Sequence, residues 1–553
     1  MDKSVRKGVL DFSAWSDVVD KSVSEAGAEK YGDTVFTLAK QKSELTPDGV
    51  ALIGGDGKAV SYRQIFKDAC RLRVALQEMG VCSGDVVSIQ LPNWAEAAVI
   101  NIAVSGLGGV INPIPAIYRS AEIRAILDDA RSKVLFAPSS FRSTNYRNDI
   151  SEIRESLTSL LDVVYVRCDD DSCTTYEKIM AESDGDNFKG PEVDPNSAKL
   201  LLYTSGTTGK PKGVLHSHVA MREWPRFLMS EWGLGEGDVM FMPSPVTHVT
   251  GYSFGLELPF ITPVKAVLMD QWEASAALAL INNTGSSACV GATPFLKELI
   301  DQAENSGDRL ETMKIFACGG ASVPPDLIYR VKKVTERCQA FRVYGSTEVP
   351  MVTRGFPSPD DIYEAAETDG KVAGYEVKIV DINTGEPISS SEQSTGEIKV
   401  RGPAMMIGYT DRKENINALD CDKYFFTGDI GYLTEKSALI ITGRKKDIII
   451  RGGENLSPKE IEDALGRHPN IEEAAVVGMP HARLGEGVCA FVRVSEVGGS
   501  IDVAAVAEFL ELQGLARQKF PERIECVEEF PRTPSGKIKK DILRNKLIKN
   551  QEC

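Results

Sequence analysis

The sequence has no excess of positive charge, no metal-type pairing of cysteine or histidine, and no clean apolar span. Each lack removes a class of function. Lys and Arg number 63 against 79 Asp and Glu, a formal net charge of −16. Such a surface repels nucleic-acid backbones and favours solubility. The 11 cysteines contain no C-x-x-C pair, and the 5 histidines (His216, His218, His248, His468, His481) show no metal-ligand spacing. An odd number of cysteines without an evident secretory leader reads as reduced thiols packed as small apolar groups. The start, Met1 to Lys7, is basic but lacks a following apolar core, so a cytoplasmic location is expected. Among apolar stretches, Ala97–Tyr118 carries no charge and is long enough to cross a bilayer. Gly106, Gly108, Gly109, Asn112, Pro113 and Pro115 break it, so a buried helix, turn and strand are expected instead of a membrane span.

What is present is ordinary in amount and particular in pattern. A chain of 553 residues with 42% hydrophobic and 26% charged side chains is globular and too long for one core, so at least two domains are expected. The apolar run Lys199–Leu202 reads as a buried strand, and Tyr203-Thr204-Ser205-Gly206-Thr207-Thr208-Gly209-Lys210-Pro211-Lys212-Gly213 follows it. Three glycines, four hydroxyls and two lysines fall within these eleven residues. Glycine lets backbone N–H groups approach an anion, the hydroxyls donate, and lysine pairs with phosphate. The spacing is not that of a Walker A loop, because Gly206 and Gly209 are too close and Pro211 follows Lys210. The stretch predicts a polyphosphate cradle.

Along the chain, helical patterning over Trp15–Ala28 precedes a hairpin of Val50–Ile53 with Ala59–Tyr62. Ser61 predicts a cap for an amphipathic helix, and Val86–Leu91 a strand. Helix and strand patterns then alternate through Glu122–Asp128, Val134–Ala137 and Val163–Val166, which predicts a parallel α/β sheet. Residues 168–196 read as a polar surface excursion, and Leu215–Met229 as a helix. Strand Val239–Met242 leads to a loop with His248, Gly251 and Tyr252, at the strand end where α/β proteins place ligands. Ile315–Ala321 and Arg342–Glu348 each read as strand then turn. From Gly370 the pattern shortens into a small β region, and Ser457-Pro458-Lys459-Glu460 predicts a capping box. The tail alternates strand and helix over Ala474–Gly478, Val488–Val494, Val503–Leu512 and Ile524–Val527.

Five motifs occur in order: the cradle, Tyr344-Gly345-Ser346-Thr347-Glu348, Thr427-Gly428-Asp429, Gly443-Arg444 and Gly536-Lys537. Together they resemble the acyl-adenylate-forming superfamily over nearly the whole chain, from about residue 50 to 540. The wider sequence is similar to bacterial medium-chain and cyclohexanecarboxylate-type CoA ligases. The resemblance implies a large N-terminal α/β domain with a small β subdomain (1–442), a hinge (443–446) and a small α+β C-terminal domain (447–553).

It also implies roles. Thr204, Ser205, Gly206, Thr207, Thr208, Gly209, Lys210 and Lys212 would hold the phosphates of ATP, with Gly320, Ala321, Gly345 and Ser346 beside the nucleotide. Tyr344 would lie on adenine, Thr347 near the α-phosphate, and Asp429 and Arg444 on ribose. Glu348, with Thr204, would bind Mg²⁺, which suits a hard carboxylate oxygen. Lys537 would be the catalytic lysine and His248 the gate of the acyl site, which Gly251, Tyr252, Cys318 and Gly319 would border. Lys446 would be the pivot, and Gly452 and Gly453 would meet coenzyme A. The implied enzyme activates a small carboxylic acid with ATP and passes it to coenzyme A. Transfer to a carrier-protein thiol or an amine, and an inactive nucleotide-binding scaffold, stand as alternatives. The Gly251–Gly255 and Ala317–Gly320 stretches offer small apolar residues and no Asp to grip an amino group. A medium-chain, alicyclic or aromatic acid is therefore expected, and a homodimer is compatible with all of this.

Overall fold

The computed structural model describes residues 33–170, 172–185, 192–204, 211–389, 394–494, 501–532 and 537–549, so the Trp15–Ala28 segment lies outside the described residues. Two seven-stranded sheets form the body. One runs in the order Gln339–Val343, Ile315–Gly319, Ala288–Gly291, Val239–Met242, Lys265–Leu268, Val50–Ile53, Ala59–Ser61, and is parallel except for its last hairpin. The other runs Gly408–Tyr409, Lys212–Ser217, Ala198–Thr204, Val110–Pro113, Val86–Ile89, Val134–Pro138, Asp162–Val166. In it only Lys212–Ser217 pairs antiparallel, with the strands on either side of it. Continuous apolar runs such as Val134–Ala137 suit strands covered on both faces. One core joins the two sheets, with Ile89, Leu200, Phe241 and Phe316 in a single cluster.

The segment free of charge resolves as expected, into the buried helix Ala95–Leu107 and the strand Val110–Pro113. Gly108 ends the helix at φ 69°, a conformation that glycine adopts at no steric cost. Among the described residues no helix is long and apolar enough to cross a membrane. Ser61 caps the helix Tyr62–Glu78 by accepting from the Gln64 N–H at 3.2 Å.

Three expectations are corrected. Leu215–Met229 is not one helix: the strand Lys212–Ser217 comes first, and the helix is His218–Glu231. Val214 and Leu215 pair with Leu202 and Leu201 and are buried, so hairpin closure overrides helical propensity there. The polar stretch before the cradle contains the helix Tyr176–Glu182, whose Tyr176 and Ile179 are buried. The capping box at Ser457 is half made. Ser457 Oγ accepts from the Glu460 N–H at 3.4 Å, but the Glu460 carboxylate takes Lys519 at 2.6 and 2.8 Å.

After His248 the chain makes a wide π turn over Tyr252–Glu257. Pro259 follows; it has no N–H for the carbonyl four residues back and its ring crowds that carbonyl, which accounts for the widening. Beyond it, Glu376–Val380, Gly396–Arg401, Phe425–Leu433 and Leu439–Arg444 form an antiparallel sheet. The last sheet orders Glu454–Leu456, Ile449–Arg451, Gly485–Val494, Ile471–His481, with Arg523–Cys526 parallel to Gly485–Val494. It has a core of its own, including Ile461, Leu465, Val492 and Leu510.

Candidate active site

The cradle is the tip of a hairpin. Ser205, Gly206, Thr207, Thr208, Gly209 and Lys210 lie outside the described residues, but its two shoulders are fixed, with Thr204 opposite Lys212. Tyr203 donates to Asp129 at 2.6 Å. Lys212 Nζ is 2.5 Å from Glu414 Oε2, so its charge already has a carboxylate partner.

A second wall comes from the segment after strand Gln339–Val343. A Cβ on Gly345 would lie 2.3 Å from the Met351 nitrogen, so only glycine fits there. Tyr344 OH donates to Asp429 Oδ2 at 2.6 Å, and Arg444 Nε is 3.0 Å from Asp429 Oδ1. Asp429 and Arg444 face each other on adjacent strands, which fixes that pair. Burial, then the Asp429 charge, pushes the Tyr344 hydroxyl well above its usual pKa, and Asp429 raises that of Arg444. A carboxylate offers about four acceptor positions, so Asp429 retains capacity for two hydroxyls.

Glu348 is held at both ends. Its Oε1 accepts from Tyr409 OH at 3.0 Å and its carbonyl from the Met406 N–H at 2.8 Å. The neighbouring Thr347 carbonyl lies 2.7 Å from His216 Nε2. His216 is buried, and desolvation lowers its pKa to about 4, so the ring is neutral. Sequence reasoning did not find Tyr409 or His216; the only signal was a histidine directly after the apolar pair Val214–Leu215.

The third wall carries His248. Asn93 donates to the carbonyls of Met242, Ser244 and Met269 at 3.2, 3.0 and 3.0 Å, and accepts from the Val246 N–H at 2.8 Å. This one buried amide sets the path of the loop that presents His248. The His248 ring keeps contact with solvent, while the protein packed round it and then the Lys537 charge lower its pKa.

Lys537 closes the site, although Ser535 and Gly536 before it lie outside the described residues. Desolvation and the Arg444 charge lower its pKa, and Asp429 and Glu348 oppose them. Lys537 thus shares one electrostatic neighbourhood with Arg444, Asp429, Glu348, Lys446 and His248. Six residues from five separate segments therefore share one neighbourhood.

Other expected residues sit differently. Gly319 comes so near Val343 that a Cβ would meet its carbonyl at 2.5 Å, and Gly320 turns at φ 83° beside the exposed Ala321. Cys318 is fully buried, 3.9 Å from Thr293 Oγ1, with its thiol pushed up to about 12. Gly251 is packed against the Pro245 carbonyl. Tyr252 is also buried; it donates to Asn101 Oδ1 at 2.6 Å, and Asn101 donates to Glu257. Glu257 pairs with Lys199 at 2.7 Å, both side chains being almost wholly buried. Gly452 and Gly453 form the exposed turn between two strands, with φ 61° and 89°, and Lys446 is exposed in the short turn Lys445–Asp447.

The arrangement gathers the cations Arg444, Lys446 and Lys537 with the carboxylates Asp429 and Glu348 in one electrostatic neighbourhood. That set suits a nucleotide. Among the described residues no group of three His, Cys, Asp or Glu could hold a metal. Mg²⁺ needs less, binding by one or two carboxylates plus substrate phosphates, and Glu348 with the Thr204 hydroxyl fits that donor set.

Comparison with known proteins agrees. The sequence profile of the AMP-binding enzymes matches residues 39–410, and that of the AMP-binding enzyme C-terminal domain matches 460–537. A medium-chain fatty-acid–CoA ligase of Escherichia coli (strain K12) is 34% identical over 523 residues, 92% of this chain and 90% of that one. An indoleacetate–CoA ligase of Aromatoleum aromaticum is 31% identical over 488 residues, 88% and 92% of the two chains. The crystal structure of ATP-bound MatB from Rhodopseudomonas palustris superposes with a TM-score of 0.82 at 26% identity, covering 93% of this chain and 99% of that one.

Proposed function

Since this chain belongs to the AMP-binding enzyme family and is an AMP-forming acyl-CoA synthetase, we propose that its acid substrate is medium-chain, alicyclic or aromatic. Two things support that class. The segment that follows His248 carries no aspartate for an amino group, and the relatives above are named for medium-chain and indoleacetate substrates.

In the first half-reaction the substrate carboxylate attacks the α-phosphorus of ATP and pyrophosphate leaves. In the second, the thiol of coenzyme A attacks the acyl carbonyl and AMP leaves. Positioning and neutralisation of charge do most of the work in phosphoryl-type transfer. Lys537 would stabilise the α-phosphate and the bridging oxygen, which is the role its setting among Arg444, Asp429 and Glu348 suggests. That convergence carries the reading of the site. Asp429 and Arg444 would take the ribose, Tyr344 the adenine, Thr347 the α-phosphate, and the hairpin tip from Thr204 to Lys212 the outer phosphates. Glu348 would hold Mg²⁺, which neutralises phosphate charge when bound.

Residues 443–446 would then act as the hinge between a large N-terminal and a small C-terminal domain, with Lys446 as the pivot that brings Gly452 and Gly453 to coenzyme A. We place the enzyme in the cytoplasm, where both cosubstrates are available. A panel of carboxylic acids, scored for pyrophosphate release with and without coenzyme A and for thioester formed, tests the reading. Strong turnover of amino acids or of short dicarboxylic acids over the proposed class would overturn the substrate assignment.

A further inference from the structure

His216 occupies a position where the sequence around it calls for an aliphatic residue. It lies on the strand Lys212–Ser217, paired with Leu200, beside the buried Val214 and Leu215. A buried imidazole costs free energy unless its polar atoms are bonded. Here Nε2 has one partner, the Thr347 carbonyl at 2.7 Å, and Nδ1 has none among the described residues. A carbonyl only accepts, so the proton of the neutral ring is on Nε2 and Nδ1 is bare. The fold tolerates an unsatisfied acceptor and retains one donor.

The bond closes a ring of contacts. The Leu215 carbonyl, next to His216, accepts from the Ile407 N–H at 2.8 Å. Met406, next in turn, donates its N–H to the Glu348 carbonyl at 2.8 Å. The Thr347 carbonyl then returns to the starting strand through His216. Every other link is between backbone groups. The imidazole is the one side chain in the circuit, and it spans two segments 131 residues apart in sequence.

We propose that His216 is a positioning residue for adenylation: its Nε2–H ties the hairpin that carries the phosphate loop to the peptide that sets Thr347 and Glu348. This rests on the roles given above to Thr347 and Glu348. Without the tie, the Thr347 carbonyl loses its anchor on the strand Lys212–Ser217, and the contacts of Glu348 with Met406 and Tyr409 alone set the position of the two side chains. Misplacement of about 1 Å at reacting groups costs up to about 10²-fold in rate. The second half-reaction no longer needs the Mg²⁺ that Glu348 would hold, so it depends less on this register.

Three variants separate this from a merely structural role. In His216→Gln the amide nitrogen reaches the place of Nε2; in His216→Asn it reaches only that of Nδ1; His216→Leu removes the donor and keeps the bulk. Pyrophosphate release, MgATP affinity by calorimetry, and thioester formation from supplied acyl-AMP are measured on the full chain, with thermal melting as a check of folding. Leu and Asn should slow pyrophosphate release about 10- to 100-fold and weaken MgATP binding several-fold. Both should leave thioester formation from acyl-AMP within about two-fold, and Gln should restore most of the loss. Equal losses in both half-reactions, Asn performing as well as Gln, or Leu adenylating like the wild type would each overturn the proposal. If Leu does not fold, the Gln and Asn pair decides alone. Glu348→Gln, run alongside, isolates the underlying reading: wild-type magnesium dependence there, with the Gln and Asn contrast intact, removes the metal role of Glu348 and leaves His216 standing.

Discussion

Replacement of Lys537 by Ala should slow adenylation by about 10²–10³-fold, equivalent to about 2.7–4 kcal/mol of transition-state stabilisation. The upper part of that range is expected because Arg444, the cation that acts most strongly on Lys537, is committed elsewhere. Arg444 is paired with Asp429 at 3.0 Å and Lys212 with Glu414 at 2.5 Å. Arg444 cannot replace Lys537 without breaking its pair with Asp429. The assay is single-turnover acyl-AMP formation by rapid quench, beside thioester formation from supplied acyl-AMP, which should stay within about three-fold, well short of a lost charge-stabilising donor. The pH profile adds a sign. Desolvation and Arg444 lower the Lys537 pKa below the usual lysine value of 10.5, and the protonated form is the active one. Adenylation should therefore fall as pH rises through that lowered value, and Lys537→Arg, whose guanidinium does not titrate there, should lose that limb. The same shift means the unfolded chain binds more protons between the lowered value and 10.5, so folding gains stability as pH rises across that window. Equal losses in both half-reactions for Lys537→Ala would refute the assignment.

Glu348→Gln should lower adenylation chiefly through weaker Mg²⁺ coordination, so that raising magnesium restores part of the rate; an unchanged magnesium dependence would dismiss it as a ligand. Lys446→Pro should still make acyl-AMP and pyrophosphate in one turnover but fail to form thioester, because proline fixes its own φ and restricts Lys445 before it. Thioester formed from supplied acyl-AMP at the wild-type rate would place the pivot elsewhere. Lys199→Met should cost about 3–5 kcal/mol, since it strands Glu257 uncompensated in the core, and a second change of Glu257 to Leu should recover most of it. Urea titrations followed by tryptophan fluorescence measure both, and a harmless single variant would show that the pair is dispensable.

The nucleotide-facing residues were legible because their signal is local: glycine turns, hydroxyls and charged groups at the ends of apolar runs. Gly345, Asp429 and Lys537 stand in such contexts, and the structure brings Asp429 and Lys537 together with Glu348 and Arg444. What could not be read is pairing across the chain. Tyr409 reaches Glu348 from 61 residues away and His216 reaches Thr347 from 131. No periodicity of two or of 3.6 encodes such a contact. Leu215 was misjudged for the same reason, since its strand exists only because Leu201 lies opposite. Lys199 heads the run read as a buried strand, but nothing local in the sequence pairs it with Glu257, 58 residues on, against which the fold buries it. Tyr252 looked like a pocket residue, and its hydroxyl is spent on Asn101.

The distribution of apolar clusters has a thermodynamic corollary. The two large sheets share one continuous core, while Ile461, Leu465, Val492 and Leu510 belong to another. Cooperativity follows shared apolar contact, so heat should disassemble this chain in more than one step, and no single melting temperature describes it. Lys537, which follows the smaller core in the chain, is desolvated beside Asp429 and Glu348 of the larger part and feels both charges. A ligand that engages both sides at once would draw the separate transitions toward each other by mass action. The bound adenylate would then be the main source of allegiance between two otherwise independently melting bodies.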